Sequence, residues 1–230
     1  MTTYTLDIET DSLDAKVIWC VCVKTLGDNE WVVATKPEDL SFIQKTDIII
    51  THNGIEFDIP ILNRLWSTGI TLSQVRDTLI LSRLFNPDRD GGHSLGQWGK
   101  RLAFDKLGFS EFDQYSEEMV RYCKRDVALT EKVYLHLRRE GSEFSDKSIV
   151  LEHEIAHIIN LQSKHGFYLD KDKANKLYEE TYYKAKLIER EIKQEFKPKP
   201  KFVREVVPKI KKDGTMSTVG LNTFDNPCET

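Results

Sequence analysis

Asp7 and Glu9 stand two residues apart in Leu6-Asp-Ile-Glu-Thr10, and this spacing constrains the chain more than any other feature. Alternate residues of a strand share a face, so the two carboxylates project together while Leu6 and Ile8 point the opposite way. Two acids on one face of an otherwise apolar strand are costly unless something positive sits between them. The plainer alternative is an edge-strand charge pair in solvent; the apolar residues opposite weigh against it.

The segments around this strand predict an α/β domain. Residues 2–8, 16–25 and 30–35 are β-rich, and Leu26-Gly-Asp-Asn29 makes the clearest turn between them, so three antiparallel strands are expected first. Pro37 opens a short helix, and Asp47–Thr51 reads as a buried strand. Helical period follows from Phe57 through Ile59, Ile61, Leu62, Leu65 and Trp66. A short strand at Val75–Thr78, a helix over Leu79–Phe85, a loop at 86–92 and a helix over His93–Leu102 come next. Ser116 is a good N-cap for a long helix through Arg139, with Glu117 and Glu118 favourable in its first turn. Gly141 to Lys147 reads as a boundary, and 148–165 and 171–196 as two amphipathic helices.

Charge sharpens the picture. The net charge of the 230-residue chain is −4, yet residues 1–60 hold eleven Asp/Glu against four Lys/Arg. Positive charge gathers late, in Lys197-Pro-Lys-Pro-Lys201, Arg204 and Lys209-Ile-Lys-Lys212. The acidic end is either a solvated surface or a set of carboxylates gathered for hard divalent cations. With 40% hydrophobic residues the chain can bury a core, but no apolar run approaches a membrane span. No apolar segment follows Met1 as a secretory signal would, which predicts a cytoplasmic protein with no membrane partner. Four scattered cysteines, none in a CxxC pair, argue against a disulfide framework or a structural zinc site. No Walker loop, Rossmann fingerprint or Ser/Cys triad appears.

Two further segments carry acids in pointed places. His52-Asn-Gly-Ile-Glu-Phe-Asp58 follows a buried strand and opens a helix at Asp58, where the acid could equally be a first-turn partner of the helix dipole. Tyr122 and Asp126, four apart on the long helix, share one face. Together, Leu-Asp-Ile-Glu-Thr (6–10), Asn-x-x-x-Phe-Asp (53–58) and Tyr-x-x-x-Asp (122–126) resemble the three motifs of DnaQ-like 3′→5′ exonucleases, in the subclass with four acids and a tyrosine. The stretches His52–Leu62, His93-Ser-Leu95-x-x-Trp98-Gly-x-Arg-Leu102 and Glu152–Asp170 are similar to the amino-terminal part of short-tailed phage family A DNA polymerases.

That resemblance implies a ribonuclease H-like fold, a mixed central sheet flanked by helices, followed by a helical arm. It implies an exonuclease domain over 1–143, an arm at 144–200 like the start of a polymerase domain, and a basic irregular tail at 201–230. It also implies two Mg²⁺ or Mn²⁺ ions held by Asp7, Glu9, Asp58 and Asp126, with Tyr122 orienting the attacking water. The substrate would be a single-stranded DNA 3′ end, met by Thr10, Leu13, Asn53, Phe57, His93 and Ser94. Leu13 and Phe57 are as readily core residues, and Ser94 as readily a helix cap. Trp98 is expected to pack, Asp77 to hydrogen-bond structurally, and His153 and His157 to face solvent. The length excludes a complete polymerase, so a fragment or a separately encoded monomeric subunit serving a polymerase chain is expected. An RNase D-type ribonuclease and a non-catalytic DNA-holding or docking module are the competing readings.

Overall fold

A computed structural model describes residues 1–197 together with 210, 211 and 214; the basic tail expected at 201–230 lies almost wholly outside the described residues. The chain divides into two compact units, Met1–Gly166 and a second beginning at Phe167.

The first unit is built on one five-stranded sheet. Its strands are β1 (Thr3–Thr10), β2 (Ile18–Thr25), β3 (Trp31–Ala34), β4 (Ile48–Thr51) and β5 (Val75–Asp77), in the order β3-β2-β1-β4-β5. β1 pairs antiparallel with β2, and β2 with β3, as hairpin-linked strands do. β4 adds to the other edge of β1 in parallel, and β5 adds to β4 in parallel. The acid-bearing strand is therefore the central one, as its apolar residues required.

Each face of the sheet is covered differently. Leu6, Ile8, Val21, Val23 and Ile49 pack with Ile59, Ile61 and Leu62 of helix α1 (Asp58–Trp66). On the opposite face Cys20 and Cys22 pack with Met119, Val120, Cys123 and Val127 of the long helix α4 (Glu117–Glu140). A third cluster joins Leu81 of α2 (Thr78–Phe85), Leu95 and Trp98 of α3 (Leu95–Arg101), and Leu129, Val133 and Leu137 of α4. Trp98 is fully buried, so it packs, as expected. Ser116 caps α4 by accepting from the Met119 amide at 3.1 Å, with Glu117 and Glu118 in the first turn.

Helix α5 (Asp146–His165) belongs to the first unit, so the division falls at Gly166, later than the Gly141–Lys147 punctuation suggests. Two side chains stitch it there. His153, 3% exposed, accepts from the Asp77 amide at 2.9 Å, and Asn160 donates to the Ile55 carbonyl at 3.3 Å. The expectation of a solvent-facing histidine pair fails for His153, because i,i+4 spacing says which residues share a face and not what lies against it. In the second unit, helix α6 (Lys171–Glu195) buries none of its residues.

Candidate active site

The site forms where β1, α1 and α4 converge. Asp7 lies opposite Cys22 and Glu9 opposite Cys20 in the β1–β2 ladder, which turns both acids to the α4 face. The ladder shifts register between Glu9 and Thr10, ending the regular strand just beyond the second acid. Carboxylate oxygens of Asp7 and Glu9 and the Cys123 sulfur all lie within 4.8 Å of one another. Cys123 also donates to the Asp7 carbonyl at 3.4 Å, which holds α4 against the strand. Cys20 and Cys22 of β2 and Cys123 of α4 are buried free thiols gathered next to the acids.

Asp58 is the first residue of α1 and is buried; its carboxylate accepts from its own amide and from the backbone of Ile8. Asp126 is buried on α4, and its Oδ1 has no hydrogen-bond partner among the described residues. Tyr122, one turn earlier, is stacked on Phe109 with ring centroids 5.5 Å apart, and Phe112 meets it edge-on at 6.4 Å. Thus Asp7, Glu9, Asp58 and Asp126 converge with Tyr122 beside them, although they come from three separate elements.

Crowding and burial oppose ionisation here. Burial, then the charges of Asp58, Glu9 and Asp126, push Asp7 well above the ordinary carboxylate range. Glu9 is pushed up to about 8 and Asp58 to about 7, in each case chiefly by burial. Asp126 is raised by burial as well, but Lys106 and the Tyr122 hydroxyl pull it back. Lys106, on the loop before α4, puts its ammonium 2.5 Å from Asp126 Oδ2. Hard oxygen donors, carboxylates held short of full ionisation, and a buried Asp126 oxygen without a partner together fit divalent cations.

The loop that delivers Asp58 is held from below. Asp77 caps α2 by accepting from the Leu79 amide at 2.9 Å, and also accepts from the amides of Asn53 at 2.8 Å and Ile55 at 3.1 Å. It is therefore a structural hydrogen-bonding residue, as expected. Asn53 takes a left-handed backbone (φ 67°), and a Cβ on Gly54 would lie 2.3 Å from Thr51 Oγ1, so this turn requires glycine. His52 Nδ1 donates to Thr78 Oγ1 at 2.8 Å, the Thr78 hydroxyl being committed to the Thr51 carbonyl.

The expected substrate contacts divide. Leu13, at the tip of the Asp11–Val17 loop, is 90% exposed and so is no core residue. Phe57 packs against the α1-side core, as its alternative reading held. Thr10 is buried and donates to the Ser12 carbonyl at 2.9 Å. Ser94 caps α3 by accepting from the Gln97 amide, and His93 lies 2.8 Å from the Ser82 hydroxyl and 3.2 Å from the Pro87 carbonyl. The polar atoms of these two serve the local fold. Lys106 escaped the sequence reading altogether, for a single lysine in an irregular loop carries no periodicity or motif to mark it.

The sheet order and the flanking helices define a ribonuclease H-like fold. NrnC of Brucella melitensis, solved with bound Mg²⁺, superposes with a TM-score of 0.57 at 18% identity, over 71% of this chain and 86% of that one. The catalytic core of RRP6 from Trypanosoma brucei superposes with a TM-score of 0.51 at 16% identity, over 70% of this chain and 46% of that one. In sequence, the chain is 22% identical to the DNA-directed DNA polymerase of Enterobacteria phage T3 over 291 residues, covering 89% of this chain and 41% of the polymerase. It is 22% identical to that of Escherichia phage T7 over 245 residues, covering 73% and 35%. The chain spans less than half the length of these polymerases. No protein-family model matches it. Among the described residues no helix is long and apolar enough to cross a membrane.

Proposed function

We propose that the chain is a 3′→5′ exonuclease that releases nucleoside monophosphates from DNA ends with two Mg²⁺ or Mn²⁺ ions, as the proofreading part of a phage-type family A polymerase. The observation that carries this reading is the convergence of Asp7, half-buried, with the buried Glu9, Asp58 and Asp126 beside the hydroxyl-bearing Tyr122. Divalent ions bound there would neutralise phosphate charge and acidify a water. Asp7, Glu9, Asp58 and Asp126 would hold such ions, Asp7 from the central strand. Tyr122 is half-buried, and burial raises its phenol above its usual range. It therefore stays protonated and orients a water by hydrogen bonding instead of removing its proton. Phe109 and Phe112 fix its ring. Leu13 presents an exposed apolar side chain suited to a terminal base.

The DNA preference and the service to a polymerase rest on the similarity to the phage polymerases. A non-catalytic holding module has no need of four crowded acids, three of them buried. The test is release of 3′ nucleotides from labelled single-stranded DNA and RNA with Mg²⁺, beside an Asp7→Ala, Glu9→Ala double variant. DNA hydrolysis by the natural chain alone is the expected result. Equal activity of the double variant, or none from either, rejects the reading, and activity on RNA alone moves it to an RNase D-type ribonuclease.

A further inference from the structure

Lys106 brings a positive charge into the group of four carboxylates. Its ammonium lies 2.5 Å from Asp126 Oδ2 and 5.1 Å from the centre of the Tyr122 ring. The Asp126 side chain is 5% exposed and that of Lys106 30%, so the ion pair is seated at the mouth of the site. The backbone on either side is pinned. Arg125 donates to the Asp105 carbonyl at 2.8 Å, and the Trp19 indole donates to the Phe112 carbonyl at 2.9 Å. What can move is the lysine side chain itself, a flexible four-carbon stem with its end near solvent.

We propose that Lys106 is a tethered competitor for the divalent-ion site: its ammonium holds the Asp126 carboxylate, and it releases that carboxylate when a divalent ion takes it. The inference rests on the metal-site reading above. A Mg²⁺ ion on a carboxylate oxygen sits roughly 2 Å from it. With an ammonium 2.5 Å from Oδ2 of the same carboxylate, the two cations would repel at close range in a partly buried site. The side chain yields more readily than the buried helix that carries Asp126. Lys106 would then keep four crowded acids partly neutralised before an ion arrives, and set the concentration at which one enters.

The test is Mn²⁺ binding by the full chain, followed by electron paramagnetic resonance of the free ion, for the natural chain, Lys106→Met and Lys106→Arg. Met keeps the stem and removes the charge; Arg keeps the charge. We expect Lys106→Met to reach half-saturation at roughly two- to fivefold lower Mn²⁺, the range of one partly exposed ion pair. Lys106→Arg should bind no tighter than the natural chain. In thermal unfolding, Mg²⁺ should stabilise Lys106→Met at correspondingly lower concentration, and Lys106→Gln repeats the test should the methionine variant fold poorly. Equal or weaker Mn²⁺ binding by the neutral variants, with normal binding by the natural chain, overturns the role of Lys106 alone. Failure of the natural chain to bind Mn²⁺ overturns the metal-site reading and this inference with it.

Discussion

Asp126 and Tyr122 sit one turn apart on the same helix yet have separable tasks. On the proposed function Asp126→Asn removes a hard ligand, so Mn²⁺ affinity and hydrolysis should fall together, the latter by roughly a hundredfold or more. Tyr122→Phe keeps the ring stacked on Phe109 and loses only the hydroxyl. Hydrolysis should drop by on the order of a hundredfold while Mn²⁺ affinity holds, as single-turnover release from 3′-labelled DNA beside metal titration will show. The raised carboxylates also set a pH dependence. Glu9 at about 8 and Asp58 at about 7 bind protons in the folded chain that the unfolded chain has released above about pH 4. Their stability contribution is complete below that pH and is lost as pH rises through their folded values. Burial holds His52 at about 3 and His153 at about 4, and these work in the opposite sense below about pH 6.5. Without metal, then, the melting temperature should fall between about pH 6.5 and 8.5. Saturating Mg²⁺ should abolish the slope, and a slope that persists in Mg²⁺ places its origin elsewhere.

Among the elements, α5 departs most from what its sequence suggests. Its charges and the punctuation before it suggest an arm outside the domain, whereas its buried side chains reach the turn that positions Asp58. His153 Nδ1 lies 2.8 Å from the Ile149 carbonyl, which places the proton there and leaves Nε2 to accept from the Asp77 amide. Asp77 in turn accepts from Asn53 and Ile55. His153→Leu strands the buried Asp77 amide and should cost about 1–3 kcal/mol in urea unfolding. His153→Gln, which can still accept, should recover part of that loss. The strands, α1 and the long capped α4 were all legible within a few residues, because alternation, helical period and Ser116 are local signals. The placement of α5 was not, since nothing in its own pattern names the turn it packs on.

For the whole molecule, the compact unit ending at Gly166 predicts where the chain can be cut. Residues 1–166 should fold cooperatively and keep metal-dependent hydrolysis. Residues 1–143 should be less stable, because removing α5 leaves the Asp77 amide and the Ile55 carbonyl without their partners. Circular dichroism melts of the two truncations, with Mg²⁺ titration of each, check this. Equal stability would return the boundary to residue 143. The sequence by itself determined the class of fold and pointed to five residues that converge in it, because strand alternation turns Asp7 and Glu9 to one face and helical spacing aligns Tyr122 with Asp126. Only the tertiary structure decided what surrounds them. Lys106 on Asp126, three thiols next to the acids and His153 under the Asp58 turn are contacts between distant segments, and local periodicity holds no information about which segments will meet.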